Sequence, residues 1–197
     1  MCHTYQDEYK NELGKRIVDT LLQSEEETDD LTMYIEMLAD EGANINYKDY
    51  DSGNTSLMLT IDKNFPRCFL IILEHNPDLE LSNCEGLKAI HIASKSENSH
   101  YLNSLCESYA DINTPDKVGN RPINYAIKSG IIENMRILFR NKCVCNFLNK
   151  FGLSIYDEAY LTGSEEVISY VLNPKSKKEH KLKRTIKNII NNMKYSK

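Results

Sequence analysis

Four glycines spaced 33 residues apart constrain the fold more than any other feature of the chain. They are Gly53, Gly86, Gly119 and Gly152. An apolar residue follows each glycine four positions later, and a small residue follows it seven positions later. The apolar residues are Leu57, Ile90, Ile123 and Tyr156, and the small ones are Thr60, Ala93, Ala126 and Ala159. This register predicts stacked repeats, because a unit of this length cannot bury its apolar face alone.

The repeated segments resemble the ankyrin repeat. Thr55, His91 and Pro122 each keep one part of the family's Thr-Pro-Leu-His-x-Ala signature, although no unit keeps all of it. Segments 42–46 and 110–113 are similar to the Gly-Ala-Asp-Val-Asn that closes the family's second helix, and segments 77–80 and 143–146 are weaker versions. The resemblance implies an all-α ankyrin-repeat solenoid of about five helix-turn-helix units with β-turn fingers. It also implies that His91 is structural and hydrogen-bonds to neighbouring backbone.

The period also predicts the domain limits. A degenerate first unit covers residues 7–46, and repeats follow at about 47–80, 81–113, 114–146 and 147–173, all within one domain of residues 1–173. The stretch from Asn46 to Gly53 is one residue longer than that from Asn113 to Gly119, which predicts a bulge in the first finger. Pro174 cannot continue the last helix, so the domain ends before it.

Residues 174–197 form a separate basic tail, with nine Lys or Arg and one acid. Its apolar residues recur at helical spacing and predict an amphipathic helix. They are Leu182, Ile186, Ile189, Ile190 and Met193. We favour a tail that caps the fifth unit. The alternatives are a helix that binds anionic membranes, a nucleic-acid contact and a nuclear-localisation signal.

Charge is unevenly distributed around the net value of −5. Residues 1–51 contain 14 acids and four basic residues, opposite in sign to the tail. The two ends can therefore attract each other or two different partners. We favour a simpler role for the acidic run 25–30, as a solvated loop that also caps the next helix.

The sequence offers no motif for catalysis, for a cofactor or for a metal. It lacks the glycine-rich phosphate-binding patterns and the nucleophile elbow. Six cysteines have no disulfide-framework spacing, and Cys143 and Cys145 are closer than a zinc Cys-x-x-Cys pair. With no signal peptide and no membrane-length apolar run, we expect a monomer with reduced thiols in the cytoplasm, in a host cytosol or in the nucleus.

The resemblance implies protein binding through the finger tips and the exposed ends of the first helices. The finger candidates are Ser52, Asn54, Cys84, Glu85, Leu87, Lys117, Val118, Asn120, Lys150, Phe151 and Leu153. The helix-end candidates are Asp62, Lys63, Lys95, Ser96, Lys128, Ser129, Leu161 and Thr162. The lysine row within this set, Lys63, Lys95 and Lys128, predicts an acidic or phosphorylated partner. We favour the alternative that these are ordinary surface lysines of a lysine-rich chain. Exposed apolar side chains within the two sets predict a contact surface, or one that the tail covers.

The fold by itself does not identify the partner. We predict a non-catalytic protein–protein interaction scaffold, with no small-molecule substrate and no nucleic-acid partner. The content of Asn, Lys and Ile and the drifted signatures resemble ankyrin proteins of intracellular bacteria and large DNA viruses, which implies a host protein as partner. One alternative is an adaptor that recruits an enzyme such as a ubiquitin ligase. Another is a scaffold tethered to a membrane by the tail.

Overall fold

The computed structural model describes the backbone of residues 2–172 and the side chains of residues 5–172. This part of the chain forms ten α-helices in five consecutive pairs and contains no strand. The pairs are α1 Cys2–Gln23 with α2 Asp29–Asp40, α3 Ser56–Asp62 with α4 Pro66–Glu74, α5 Ala89–Lys95 with α6 Ser99–Glu107, α7 Pro122–Ser129 with α8 Ile132–Arg140, and α9 Ile155–Leu161 with α10 Glu165–Val171. The all-α repeat fold is therefore confirmed.

The pairs stack into one continuous core. The first helices pack in the order α1, α3, α5, α7 and α9, and on the other side α2 packs on α4 and α6 on α8. A single cluster of buried apolar residues runs from Leu13 in α1 to Val171 in α10. Each unit thus buries its apolar face against its neighbours, as a solenoid requires.

The four spaced glycines occupy equivalent turns. Their φ angles lie between 70° and 83°, a left-handed conformation that glycine adopts without a steric cost. In the second to fourth fingers the glycine N–H donates to the carbonyl three residues earlier. In the first finger Gly53 donates instead to Asp49, four residues earlier, at 3.0 Å. The extra residue therefore lies in this finger, as the spacing predicts, and Tyr50 projects from it with 96% of its surface exposed.

The helix ends follow from local sequence. Thr55 and Ser154 accept a hydrogen bond from the third residue of α3 and α9, which satisfies an otherwise free N–H group. Pro122 opens α7, and Gly130 ends it with a φ of 75°. These short helices are thus delimited by their own caps.

Three details differ from the sequence interpretation. Helix α1 begins at Cys2, and residues 5–12 within it are all exposed, so its first half extends beyond the packed core. Leu22 and Leu70 belong to apolar runs with helical spacing, and the spacing predicts that Leu70 faces inward, yet each is 41% exposed. Tyr101 is instead fully buried, with its ring 4.8 Å from that of Phe69. The predicted tail helix lies outside the described residues.

Candidate protein-binding surface

One side chain at the base of each finger organises the turn. Asn83 Oδ1 accepts hydrogen bonds from the N–H groups of Glu85 and Leu87, at 3.0 and 2.9 Å. Asp116 and Asn149 accept the corresponding pairs in the next two fingers. The finger conformations are therefore fixed before any partner binds, which lowers the entropic cost of binding.

The first finger uses a different contact at the same place. The Asp49 carboxylate accepts from the hydroxyl and the N–H of Ser52, at 2.6 and 2.7 Å. These hydrogen bonds to the ionised form lower the pKa of Asp49. Ser52 is half-buried, and its two hydrogen bonds to Asp49 stabilise the turn of the first finger.

Neighbouring fingers are tied to one another by asparagines. Asn83 Nδ2 donates to Asn54 Oδ1 at 2.9 Å, and Asn149 Nδ2 donates to Asn120 Oδ1 at the same distance. Asn120 is only 5% exposed. The prediction that Asn54 and Asn120 offer their side chains to a partner needs correction, because the neighbouring finger already binds them.

Leucines that follow the finger glycines lie beneath the fingers. Leu87 is 7% exposed and belongs to the core, and Leu153 is half-buried. Leu87 therefore stabilises the fold, and its assignment to the contact surface also needs correction. Phe151, at the tip of the fourth finger, is by contrast 71% exposed.

One groove between the second and third units brings together seven of the predicted residues. It runs from the finger tips to the ends of the first helices and is lined by Asp51, Ser52, Asn54, Asp62, Asn83, Cys84, Glu85, Leu87, Ile92 and Lys95. A second groove of about 520 Å³ continues from it along the helix ends. The second groove shares Asp62, Ile92 and Lys95 and adds Ile61, Asn64, Ser96, Glu97 and Asn98. We call these two together the inter-unit groove.

The inter-unit groove is acidic. Its charged residues are Asp51, Asp62, Glu85, Glu97 and Lys95, four acids against one base. All five are exposed, and none forms an ion pair with another described residue. The groove therefore presents a negative potential to an approaching partner.

The lysine row does not present three free positive charges. Lys63 Nζ donates to the carbonyls of Leu22 and Ser24, at 2.9 and 2.7 Å, where it caps the end of α1. Lys128 Nζ lies 3.2 Å from the carboxylate of Glu158, whose side chain is 4% exposed. Two of the three ammonium groups thus serve the fold, which removes the main argument for an acidic or phosphorylated partner.

The remaining candidates divide between free and engaged side chains. Ser129 and Thr162 donate their hydroxyls to carbonyls of their own helices, at 3.1 and 2.7 Å. Lys117 donates its ammonium to the carbonyl of Cys84, and Val118 is half-buried. Lys150, Phe151 and Leu161 are exposed, the last two at 71% each.

His91 has the structural role that the resemblance implies. Its Nδ1 accepts from the N–H of Lys88 at 3.1 Å, and its Nε2 lies 3.0 Å from the carbonyl of Thr114 in the next unit. A backbone N–H can only donate, so Nε2 carries the proton of the neutral ring. Burial lowers the pKa of His91, because a charged ring would lose its hydration.

Polar contacts that the sequence did not reveal also hold the units together. Asn134 is fully buried, and its amide donates to the carbonyls of Ser94 and Ser96 at 3.0 and 2.8 Å. The only sequence signal for this contact was an asparagine within the apolar stripe of α8.

The acidic run 25–30 caps the next helix, as predicted. Thr28 accepts a hydrogen bond at the start of α2, and Glu27 accepts from the N–H of Cys68 at 2.8 Å.

Other kinds of site find little support among the described residues. Across this part of the chain, no three His, Cys, Asp or Glu side chains lie where they could hold a metal ion. The sulfur atoms of Cys143 and Cys145 lie 4.0 Å apart. None of the helices in residues 2–172 is long and apolar enough to cross a membrane.

Comparison with known proteins defines the class. Residues 16–116, just over half of the chain, match the family model described as ankyrin repeats in three copies. The chain therefore belongs to the ankyrin repeat family, whose repeats are typically non-catalytic and generally mediate protein–protein interactions.

The chain is also similar to a curated human protein, the transient receptor potential cation channel subfamily A member 1. The two are 26% identical over 123 residues, which is 62% of this chain and 11% of the channel protein. The chain thus matches only a small part of that relative.

Proposed function

We propose that this protein is a non-catalytic scaffold that binds an extended, basic segment of a protein partner in the inter-unit groove. The observation that carries the proposal is that four exposed acids and a single base line one continuous groove. An extended segment fits because the groove continues from the fingers along the helix ends.

Charge determines the preferred sequence of that segment. Lys or Arg side chains would face Asp51, Asp62, Glu85 and Glu97, and such long-range attraction raises the association rate. Ile92 lines both parts of the groove but is only 4% exposed, so the contacts open to the segment are mainly polar. The exposed Phe151 and Leu161 extend the surface for a partner that reaches the fifth unit, since exposed apolar side chains favour contact.

Peptide selection tests this proposal without a known partner. A library of random peptides is selected against the full-length protein, and we expect Lys and Arg to be enriched among the bound sequences. Enrichment of acidic or phosphorylated peptides would contradict the proposal and restore the lysine-row interpretation.

Charge reversal then locates the binding site. The double variant Asp62→Lys/Glu85→Lys should weaken peptide binding about tenfold or more, an effect typical of central interface residues. The matched control is Glu74→Lys/Glu107→Lys, two exposed acids at the ends of α4 and α6, outside the groove. Equal loss in both variants would show that net charge matters and the groove does not.

The choice of a host protein as partner stays a prediction from composition. The peptides selected by the groove define a preferred binding sequence. A search for this sequence among the proteins of a candidate host tests the prediction directly. An adaptor, or a scaffold tethered to a membrane, would need a second binding surface in addition to the inter-unit groove. The groove variants would leave binding at that second surface unchanged.

A further inference from the structure

The outer face of α2 is an apolar surface surrounded by acids. Met33, Tyr34 and Met37 are 65%, 37% and 47% exposed. A shallow groove on this face is lined by Met33, Glu36, Met37, Asp40 and Glu41. We call this surface the N-terminal face.

Repeat register shows what this face would contact in an inner unit. The closing loops 43–46 and 110–113 align α2 with α6, 67 positions later, so that Tyr34 matches Tyr101 and Met37 matches Ser104. Tyr101 and Ser104 are 0% and 8% exposed. The preceding unit covers this side of α6, since Tyr101 contacts Phe69 and donates its hydroxyl to Asn64 at 3.0 Å. The side of α2 that contains Tyr34 is therefore the end of the described stack, where another helix would pack. Met33 lies at the edge of this contact, since it aligns with His100, which is exposed.

We propose that the N-terminal face binds the basic tail, residues 174–197, of a second copy of this chain. The tail supplies both features that the face lacks. Its apolar residues, which the sequence spaces as in an amphipathic helix, complement the methionines. Its nine basic residues complement Glu36, Asp40 and Glu41, of which Asp40 also lies 3.2 Å from His75. Methionine side chains adapt readily to the shape of a helix laid against them.

Position in the stack favours a second copy over the molecule's own tail. The tail follows Leu172 at the far end, four inter-unit steps from α2, or about 32–40 Å at usual helix spacings. The chain from Leu172 to Leu182 spans at most about 36 Å, so it would need almost complete extension to reach the face of its own molecule. Two molecules stacked head to tail place the tail of one beside the N-terminal face of the other.

Such a contact joins different surfaces of two molecules, so a straight head-to-tail stack always leaves one face and one tail free. Molecules therefore add in a row, and the assembly grows with concentration. This assembly differs from the monomer expected from the sequence. Sedimentation velocity of the full-length protein should show a mean mass above that of the 22.7 kDa monomer. The mean mass should rise with concentration and fall between about 0.05 and 0.5 M salt, because salt screens the charges.

Two double variants of the full-length chain test the two sides of this contact, the N-terminal face and the tail. Glu36→Lys/Met37→Ser alters the face, and Ile186→Ser/Ile190→Ser alters the tail stripe. Each should weaken association about tenfold or more. The matched control, Leu70→Ser/Glu74→Lys, changes one exposed apolar and one exposed acidic residue on α4 and should associate as the parent does.

Mixing the two variants gives the decisive result. The face variant keeps an intact tail and the tail variant keeps an intact face, so their equimolar mixture should form a dimer and nothing larger. A labelled 174–197 peptide should bind the tail variant and not the face variant. A monomeric parent at every concentration, no dimer in the mixture, or equal peptide binding by both variants would each overturn the proposal. Peptide binding by the face with a monomeric parent would show that the tail binds within one molecule.

Discussion

Replacing His91 with alanine should destabilise the protein by about 3 kcal/mol. The variant loses two neutral hydrogen bonds, worth about 1 kcal/mol each, and leaves the buried carbonyl of Thr114 without this donor. It also loses the packing of a fully buried ring, which lies 5.4 Å from the ring of Tyr125. For a chain of this size the melting temperature should fall by about 6–12 °C.

The pH dependence of this loss follows from the lowered pKa of His91. The unfolded chain binds the proton at the ordinary pKa of about 6.5, whereas the folded chain binds it only at lower pH. The stabilisation by neutral His91 is therefore complete above about pH 6.5 and is lost as the pH falls through the folded pKa. The difference between the parent and His91→Ala should be larger at pH 7.5 than at pH 5.

Thermal melting by circular dichroism measures the change, and NMR titration of the His91 ring measures its pKa. His100→Ala is the control, since His100 is exposed on α6. Groove-selected peptides should bind folded His91→Ala with nearly the parent affinity, because His91 lies inside the stack. A melting shift no larger than that of the control, or a His91 pKa at or above 6.5, would refute this account.

The remaining predictions concern packing, backbone conformation and the tail. Ala126→Leu should overpack a fully buried position and cost about 1–3 kcal/mol, and an unchanged melting temperature would place Ala126 away from a tight helix contact. Gly119→Ala should destabilise more than Gly163→Ala: both have positive φ, but only at Gly119 would the new Cβ lie 3.3 Å from the next finger. Equal melting losses would argue against close finger packing. Ending the chain after Asn173 should abolish association and leave the melting temperature of the dilute protein unchanged if the tail binds a second copy. Earlier melting or aggregation would show instead that the tail caps the fifth unit. Unchanged melting, with salt-sensitive binding of anionic vesicles by the full chain, would favour the membrane-binding alternative.

The 33-residue period predicted the helix pairs well because it reflects how each unit packs on the next. Each unit contacts its neighbours through the same positions, so Gly53 and its equivalents share one conformation. Even the added residue of the first finger followed from counting. Burial of single side chains was less predictable where helical spacing was the only guide. Leu70 has the spacing of its apolar neighbours in α4, yet it is exposed.

The candidate surface was predicted only in outline. Register places residues at finger tips and helix ends, but it does not say which polar groups the fold itself consumes. Lys63 and Asn120 look like free surface residues in the sequence, and each is bound by a neighbouring unit. Such contacts join residues about 30–40 positions apart, and their geometry depends on how two units pack.

Hydrogen bonding between the fingers divides them into two pairs. Backbone bonds join the first to the second, from Cys84 to Ser52, and the third to the fourth, from Lys150 to Val118, each at 2.9 Å. Among the described residues no backbone hydrogen bond joins the second finger to the third, where only the ammonium of Lys117 crosses. The helices beneath remain firmly packed, so this seam is confined to the rim. Amide protons of Cys84 and Lys150 should consequently exchange with solvent more slowly than that of Lys117. A partner that bridges the seam would then slow exchange at Lys117 most.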